Sequence, residues 1–579
     1  MTMNAHVLHT VPSRASRSLA VGLVLLPLLW LCGGQLLILP YHGGSGLNFP
    51  SNLLAWGVMA LLALWCTLGD TRSRTGDSFI QGGLITGVFL WSLPLLWTPH
   101  WDWFLNALPR VVALWGLAGL YSLLMSTRPA PRVRQAWLVT LVLAALIQAC
   151  CSMVQFTQHH GPYAWRPHGG FIQANVLGSF LATGLACALY LVLFARGRRS
   201  RMLALLALLI LPASLVLTQS RAGDLGAAMA LSLLLWQGYR KRCALRFPVA
   251  LLLVGTALGG LWLYGGNLCF PDYVPAPVGK GGSNAARLYM LKLTWQLIMQ
   301  HPLVGNGYGG FEALFGQLAA VNPPGLEAAT VTHPHNELLY AWLEGGLLAL
   351  AGLLLMVAAV LVRMWRRDGM RLAGLALVLP LAVHSLLEFP LYLSVTHGLV
   401  MVMLLVISGP YEPASSLCDG GQGPVQALLT QSLPAVLALL ALTYMGTGLV
   451  SQQRLMRMEQ LNLLPLIANA PQTPASLLNP SALAPRLDFD RHVALLLRFN
   501  QTRDQALLNA FRAWGGRFLQ THNDPKVYAS LLMIARAQQL PEAVILCHQA
   551  HGRWPADPRF ACPDLMMAPD TYRPALMDR

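Results

Sequence analysis

Thirteen apolar runs constrain this chain more than any other feature. They lie near 19–39, 52–69, 79–97, 105–125, 136–157, 174–195, 202–218, 222–238, 247–266, 338–362, 372–387, 395–411 and 431–450, and most carry no charge. About 20 apolar residues in a helix span a bilayer core, and local thinning accommodates a shorter run such as 372–387. Only 11% of the 579 residues are charged, against roughly one quarter in an average soluble protein. So few charges leave too much surface uncovered for a soluble globule, a disulfide scaffold or a disordered chain. The expected fold is an all-α polytopic membrane protein with about 13 transmembrane helices. The first run follows Arg14 and Arg17. No small-residue cleavage site closes it, so it reads as an uncleaved span rather than a signal peptide.

The loop arginines set the orientation. One alternate set of loops holds Arg72 and Arg74; Arg128, Arg132 and Arg134; Arg196, Arg198, Arg199 and Arg201; Arg240, Lys241, Arg242 and Arg246; and Arg363, Arg366, Arg367 and Arg371. The other set of short loops has Arg166 and Arg221 as its notable members. Basic loops stay in the cytoplasm, so the N-terminus is expected inside and 267–337 and 451–579 outside. The net charge of +16 is thereby explained without nucleic acid. The stretch 410–430 reads as a linker.

Residues 1–450 therefore read as a transmembrane domain with a long outer loop at about 267–337. Residues 451–579 read as a C-terminal helical domain: a Pro/Asn/Ser-rich linker, then amphipathic segments near 488–500, 503–520, 525–539 and 541–551. The ten cysteines show no Cys-x-x-Cys spacing. Cys547 and Cys562 lie in the tail, where an oxidising compartment permits a bridge; without known geometry, two buried thiols are the expectation.

Charge within or beside a span marks chemistry. Arg110, Asp224, Glu344 and His384 fall inside runs, and Arg110 reads as a structural partner for a buried acid or carbonyl. Arg221, in Gln219-Ser220-Arg221-Ala222-Gly223, sits at the outer surface, the opposite side from ordinary snorkelling arginines. Asp224 is placed to pair with it. Arg287 opens an amphipathic stretch in the outer loop, and two guanidinium groups there suit a pyrophosphate. The Gly-rich segment 305–310 reads either as a backbone phosphate cradle or as a plain turn. In Thr332-His333-Pro334-His335-Asn336-Glu337, a helix start places His335 at a helix N-terminus, where imidazole serves as a general base. An interfacial His pair in a capping turn is the equal alternative. His333, His335 and Glu337 lack the spacing of a helical zinc pair. With no Asp-x-Asp motif, no metal or other cofactor is expected. His384 to Tyr392, including Glu388, ends a span on the outer side and reads either as a border of the same site or as an ordinary span end, and Arg166 to Asn175 reads either as further sugar or phosphate contacts or as a plain loop.

These pieces together resemble the O-antigen ligase/polymerase superfamily of bacterial inner-membrane glycosyltransferases, and within it the pilin-type protein O-oligosaccharyltransferases. The resemblance rests on Gln219 to Gly223, on Arg287 with His301-Pro302-Leu303-Val304-Gly305-Asn306-Gly307, and on His333 to Leu339 with Glu344-Gly345-Gly346; His384 to Tyr392 is similar to the protein-glycosylating branch. It implies an inverting, metal-independent transfer from a glycan on undecaprenyl pyrophosphate, in the periplasm. Arg221 and Arg287 would bind the pyrophosphate and His335 would be the base. His333, Asn336, Glu337, Arg166, His384 and Glu388 would support them. The acceptor would be a Ser or Thr of an exported protein such as a pilin. Lipid A–core is the alternative acceptor, and transport of the lipid-linked glycan the alternative activity. A transporter would place its polar groups at mid-membrane between internal repeats, and none is evident here.

Overall fold

Backbone groups in hydrocarbon must be satisfied internally, and helices do this within one segment. The computed structural model describes residues 14–41, 43–68, 78–159, 163–279, 281–322, 330–367, 369–411, 428–469 and 476–562. Each apolar run lies on a helix. They are α1 (Arg14–Cys32), α2 (Pro50–Leu68), α3 (Ser78–Ser92), α4 (Trp101–Ser126), α5 (Pro131–Gln158), α6 (Ala174–Phe194), α7 (Arg198–Thr218), α8 (Arg221–Arg240) and α9 (Arg246–Gly260). After the short α10 (Gly266–Cys269), the long loop carries α11 (Gly281–Gln300) and α12 (Phe311–Val321). Then come α13 (Glu337–Trp365), α14 (Arg371–Leu387), the short α15 (Pro390–Leu393), α16 (Val395–Ser408) and α17 (Leu433–Gln460). The chain ends in α18 (Leu464–Asn469), α19 (Ala484–Thr502), α20 (Gln505–Phe518), α21 (Pro525–Ala537) and α22 (Glu542–Arg553). No strand occurs among the described residues. Among the described residues, ten helices are long and apolar enough to cross a membrane; α14 and α16 are apolar but shorter. The molecule is an all-α polytopic membrane protein. Arg72, Arg74 and nearly all of the 410–430 linker lie outside the described residues.

Helix α6 is the centre of the bundle, with 94% of its apolar window buried. Small residues let neighbours approach it closely. A Cβ on Gly223 of α8 would lie 2.8 Å from the Gly178 carbonyl carbon, and one on Gly184 would lie 2.2 Å from the Ala145 Cβ of α5. At one end of the bundle, arginines tie α16 down. Arg134 donates to Gly409 O at 2.9 Å, Arg363 to Leu405 O at 2.9 Å and Arg367 to Ile407 O at 3.3 Å. The long loop and the tail helices occupy the other end.

Helix α13 is broken at Gly346, whose φ of 64° and ψ of −160° are non-helical. The break frees carbonyls, and the Gly-rich turn takes them. Asn306 N donates to Leu343 O at 2.9 Å and Gly307 N to Glu344 O at 3.0 Å, while Leu347 N donates to Leu303 O at 3.0 Å. Gly305 N binds His301 O, Tyr308 N binds Thr98 Oγ1 and Gly309 N binds the Glu344 carboxylate. Every N–H from 305 to 309 is thus committed within the protein. The turn is a plug for a broken helix, and the phosphate-cradle reading of 305–310 is set aside. Glu344 also pairs with Arg110, whose guanidinium lies 4.5 Å from the Tyr340 ring centroid and 5.1 Å from that of Tyr308. Both intramembrane charges are therefore used in joining α4, α13 and the turn.

The tail segments form the helices α19 to α22, which are docked on the loop. The Glu312 carboxylate on α12 accepts from Asn523 N at 2.8 Å and faces His522 Nδ1 at 3.1 Å. Trp103 Nε1 of α4 donates to Gln520 O at 2.8 Å. Cys547 and Cys562 form a disulfide with their Cα atoms 6.1 Å apart, correcting the expectation of free thiols. The close of α22 brings residue 562 back beside residue 547, a return that sequence spacing does not reveal.

Candidate active site

Three segments bring guanidinium groups to the loop end of the bundle. The first is the α7–α8 turn. Gln219 takes the left-handed conformation (φ 51°) and its Oε1 accepts from Val278 N at 2.8 Å. Ser220 caps α8 by accepting from Gly223 N at 3.2 Å. Arg221 then opens the helix, and its guanidinium donates to Asn284 Oδ1 of α11, one turn before Arg287. Asp224 lies in the same first turn of α8.

The second segment is the loop before α6. Two glutamines inside α5 hold its backbone: Gln155 Oε1 accepts from Gly169 N at 2.8 Å, and Gln148 Oε1 from Gly170 N at 2.7 Å. This fixes Arg166, whose Nε donates to Thr218 O at 2.6 Å and whose Nη2 binds Asn175 Oδ1. Burial lowers the Arg166 pKa, and nearby Arg221 and Arg287 lower it further against Glu388 and Asp224.

The third is α11 with the α14–α15 corner, where Glu388 is the hub and only 3% exposed. Arg287 Nη2 donates to Oε1 at 2.5 Å and Asn175 Nδ2 to the same oxygen at 2.5 Å. His384 Nε2 faces Oε2 at 3.3 Å. Burial alone would raise the carboxyl pKa. The bonds from His384 and Asn175 and the Arg287 charge outweigh it, and the net direction is downward.

His335 lies beside this hub. Asn336 caps α13, its side chain accepting from Leu339 N at 3.0 Å while donating to Leu386 O at 3.0 Å. That clamp ties the start of α13 to the end of α14 and leaves His335 at φ 57°, edge-on to Phe389 with centroids 5.0 Å apart. Its Nδ1 is buried without a hydrogen-bond partner among the described residues. Burial lowers its pKa, as does the charge of Arg287, against the pull of Glu388. A neutral imidazole with an unused nitrogen is the state a general base requires.

The other two candidates from this stretch sit apart from the cations. His333 stacks on Phe389 at 4.5 Å and packs at a tilt against Tyr392 at 4.4 Å, and burial pushes its pKa down to about 3. Glu337 Oε2 accepts from Tyr392 OH at 3.3 Å. Both brace the aromatic wall behind His335. Among the described residues no three His, Cys, Asp or Glu side chains gather as metal ligands. Arg221, Arg287, Arg166, His335, His384 and Glu388 do come together. Ser179 and His397, bonded behind His384, had no signal in the hydropathy pattern. They lie on α6 and α16 within apolar runs, and their only mark is polarity at fully buried positions.

Residues 206–354, which include Arg221, Arg287 and His335, match the family model of O-antigen ligase. Residues 372–559, from α14 through the tail helices, match the model for the C-terminal part of membrane-bound virulence factor polymerases. No curated protein matches the chain. The two family matches cover more than half of the sequence, in agreement with the helical membrane fold. The chain belongs to the O-antigen ligase superfamily of membrane enzymes that transfer glycans.

Proposed function

We propose that the chain is a protein O-oligosaccharyltransferase. It moves a glycan en bloc from undecaprenyl pyrophosphate to a Ser or Thr hydroxyl of exported proteins such as pilins. The site faces the periplasm from the bacterial inner membrane, with residues 1–450 as the membrane glycosyltransferase domain and 451–579 as a helical periplasmic domain. The convergence of Arg166, Arg221 and Arg287 beside His335 carries this reading.

The chemistry follows from that convergence. The acceptor oxygen attacks the anomeric carbon and the bond to the pyrophosphate oxygen breaks with inversion. Negative charge grows on the leaving pyrophosphate, where Arg221 and Arg287 stabilise it. The acceptor proton passes to His335. Arg166 adds a third cation, and Glu388 and Asn336 hold Arg287 and His335 in place. No step in this scheme calls for a metal ion.

The O-antigen ligase match favours one second reading, a lipid A–core sugar as acceptor. A transfer assay in membranes with lipid-linked oligosaccharide and both acceptors separates the two. Glycan on an exported pilin-like protein, lost in His335→Ala, Arg221→Ala and Arg287→Ala, is the expected result. Glycan on lipid A–core alone selects the ligase. Lipid-linked glycan crossing the membrane with neither acceptor modified overturns the enzyme reading.

A further inference from the structure

Behind Glu388 runs a chain of buried polar groups on three helices, and one backbone carbonyl sets its direction. Val176 O only accepts hydrogen bonds, so the His397 Nε2 that faces it at 3.1 Å carries its proton. His397 Nδ1 then accepts from the Ser394 hydroxyl at 3.0 Å. The same Nε2–H faces Ser179 Oγ at 3.1 Å. Ser179 in turn has two acceptors for its own proton: His384 Nδ1 at 2.7 Å and the more distant Val176 O at 3.1 Å. Donation along the shorter bond leaves His384 Nδ1 unprotonated and places its proton on Nε2, facing Glu388 Oε2 at 3.3 Å. Ser179, His384 and His397 are each 0% exposed, so bulk water does not reach them.

We propose that Ser179 and His397 are positioning residues of the transfer reaction: they hold His384 in the Nε2–H tautomer, and through it keep Glu388 an ionised anchor for Arg287. The proposal rests on the reading of Arg287 as a pyrophosphate ligand. Neither Ser179 nor His397 touches the donor. The opposite tautomer would aim a ring lone pair at the carboxylate and remove one of its donors. The charged or titratable groups around this hub are Arg287 on α11, Arg166 on the loop before α6, His335 before α13, His384 on α14 and His397 on α16. Of these, His384 alone sits between Glu388 and the hydroxyl of Ser179.

The test uses the full chain in lipid nanodiscs with 15N-labelled histidine. In the wild type, His384 shows a protonated Nε2 and an unprotonated, hydrogen-bonded Nδ1. Ser179→Ala turns this into a mixture of tautomers, and Ser179→Thr, which keeps the hydroxyl, restores it. His397→Phe gives the mixture as well, and guards against a Thr methyl that does not fit. Transfer assays run alongside, with undecaprenyl-pyrophosphate oligosaccharide as donor. Ser179→Ala raises the donor KM roughly tenfold, as loss of one charge-assisted bond would, with a smaller change in kcat. It also moves the acid limb of the pH profile to higher pH. Unchanged His384 ring signals in both Ser179→Ala and His397→Phe overturn the proposal. So does a Ser179→Ala loss fully accounted for by less folded protein. If wild type transfers no glycan, the functional reading fails, and the ring signals still decide the tautomer.

Discussion

Arg287 and Glu388 meet at 2.5 Å, although they are 101 residues apart and the apolar helices α13 and α14 lie between them. The contact ties α11 of the long loop to the α14–α15 corner, so the loop cation is placed by the membrane bundle. A side chain 29% exposed thus gains an orientation that its own helix could not give. Glu388→Gln keeps the shape and removes the charge. The expected outcome is a tenfold to hundredfold rise in donor KM, on the order of a lost charge-assisted bond. The carboxyl pKa lies below its ordinary value of 4.5, so the anchor is present above that value and is lost only as pH falls below it. Wild-type transfer should therefore show an acid limb below pH 4.5 that Glu388→Gln abolishes. Steady-state kinetics across pH measure both.

His335 gives a different pH signature. Its pKa is lowered from 6.5, chiefly by burial, so the neutral, proton-accepting form persists below pH 6.5. Rate at saturating donor should fall only as pH drops through the lowered value. His335→Ala should reduce kcat by about 10²–10⁴-fold with donor binding retained. Retention of donor on the purified variant, set against its turnover, separates a base from a binding residue.

Arg221 and His335 were legible in the sequence because charge or imidazole beside the end of an apolar run is costly and out of place, and Arg287 because it opens an amphipathic stretch of the long loop. The helices were legible for the complementary reason, that nothing else satisfies a backbone in hydrocarbon. What stayed hidden depends on who faces whom. The glycines at 305, 307 and 309 announce a turn, yet nothing in their spacing says that the N–H groups of Gly307 and Gly309 go to a broken helix about forty residues on. Ser179 and His397 leave the hydropathy of their runs almost unchanged. Glu337 has the charge for catalysis, and only its contact with Tyr392 shows that it braces a wall.

The Arg110–Glu344 pair yields a stability prediction. Glu344 is 1% exposed and Arg110 Nε is buried without a hydrogen-bond partner among the described residues. Glu344→Gln still accepts from Gly309 N but leaves a buried guanidinium without its counter-charge. A loss of about 3–5 kcal/mol is expected, and Arg110→Leu/Glu344→Gln should recover part of it. Thermal unfolding of the detergent-solubilised variants tests this, and equal losses in single and double variants would count against the pair.

The Cys547–Cys562 bridge ties the end of the tail to α22. Closing a loop of this size contributes about 3 kcal/mol. Mass analysis after alkylation without reductant should show both thiols blocked in protein from intact cells. The Cys547→Ser/Cys562→Ser variant should unfold its tail at lower temperature while the bundle transition stays in place. Finding both thiols free in cells would argue for a reducing compartment and against an outer location for the tail.

The docking of the tail through Glu312 predicts a link between two parts of the chain that lie 210 residues apart. Glu312 lies in the first turn of α12, directly after the turn that plugs the Gly346 break, and its carboxylate holds Asn523 N and His522. Space at this contact is tight: a Cβ on Gly316 would fall 2.6 Å from the Asn523 side chain. Glu312→Ala removes both bonds and should cost about 1–3 kcal/mol of docking. Gly316→Val should separate the surfaces sterically without touching a polar group. Both variants should raise amide exchange in α12 and in the 519–524 turn together, while exchange in α6 stays slow. Increased exchange confined to the tail would mean that α12 holds its place without it, and that the tail is attached to the loop rather than supporting it.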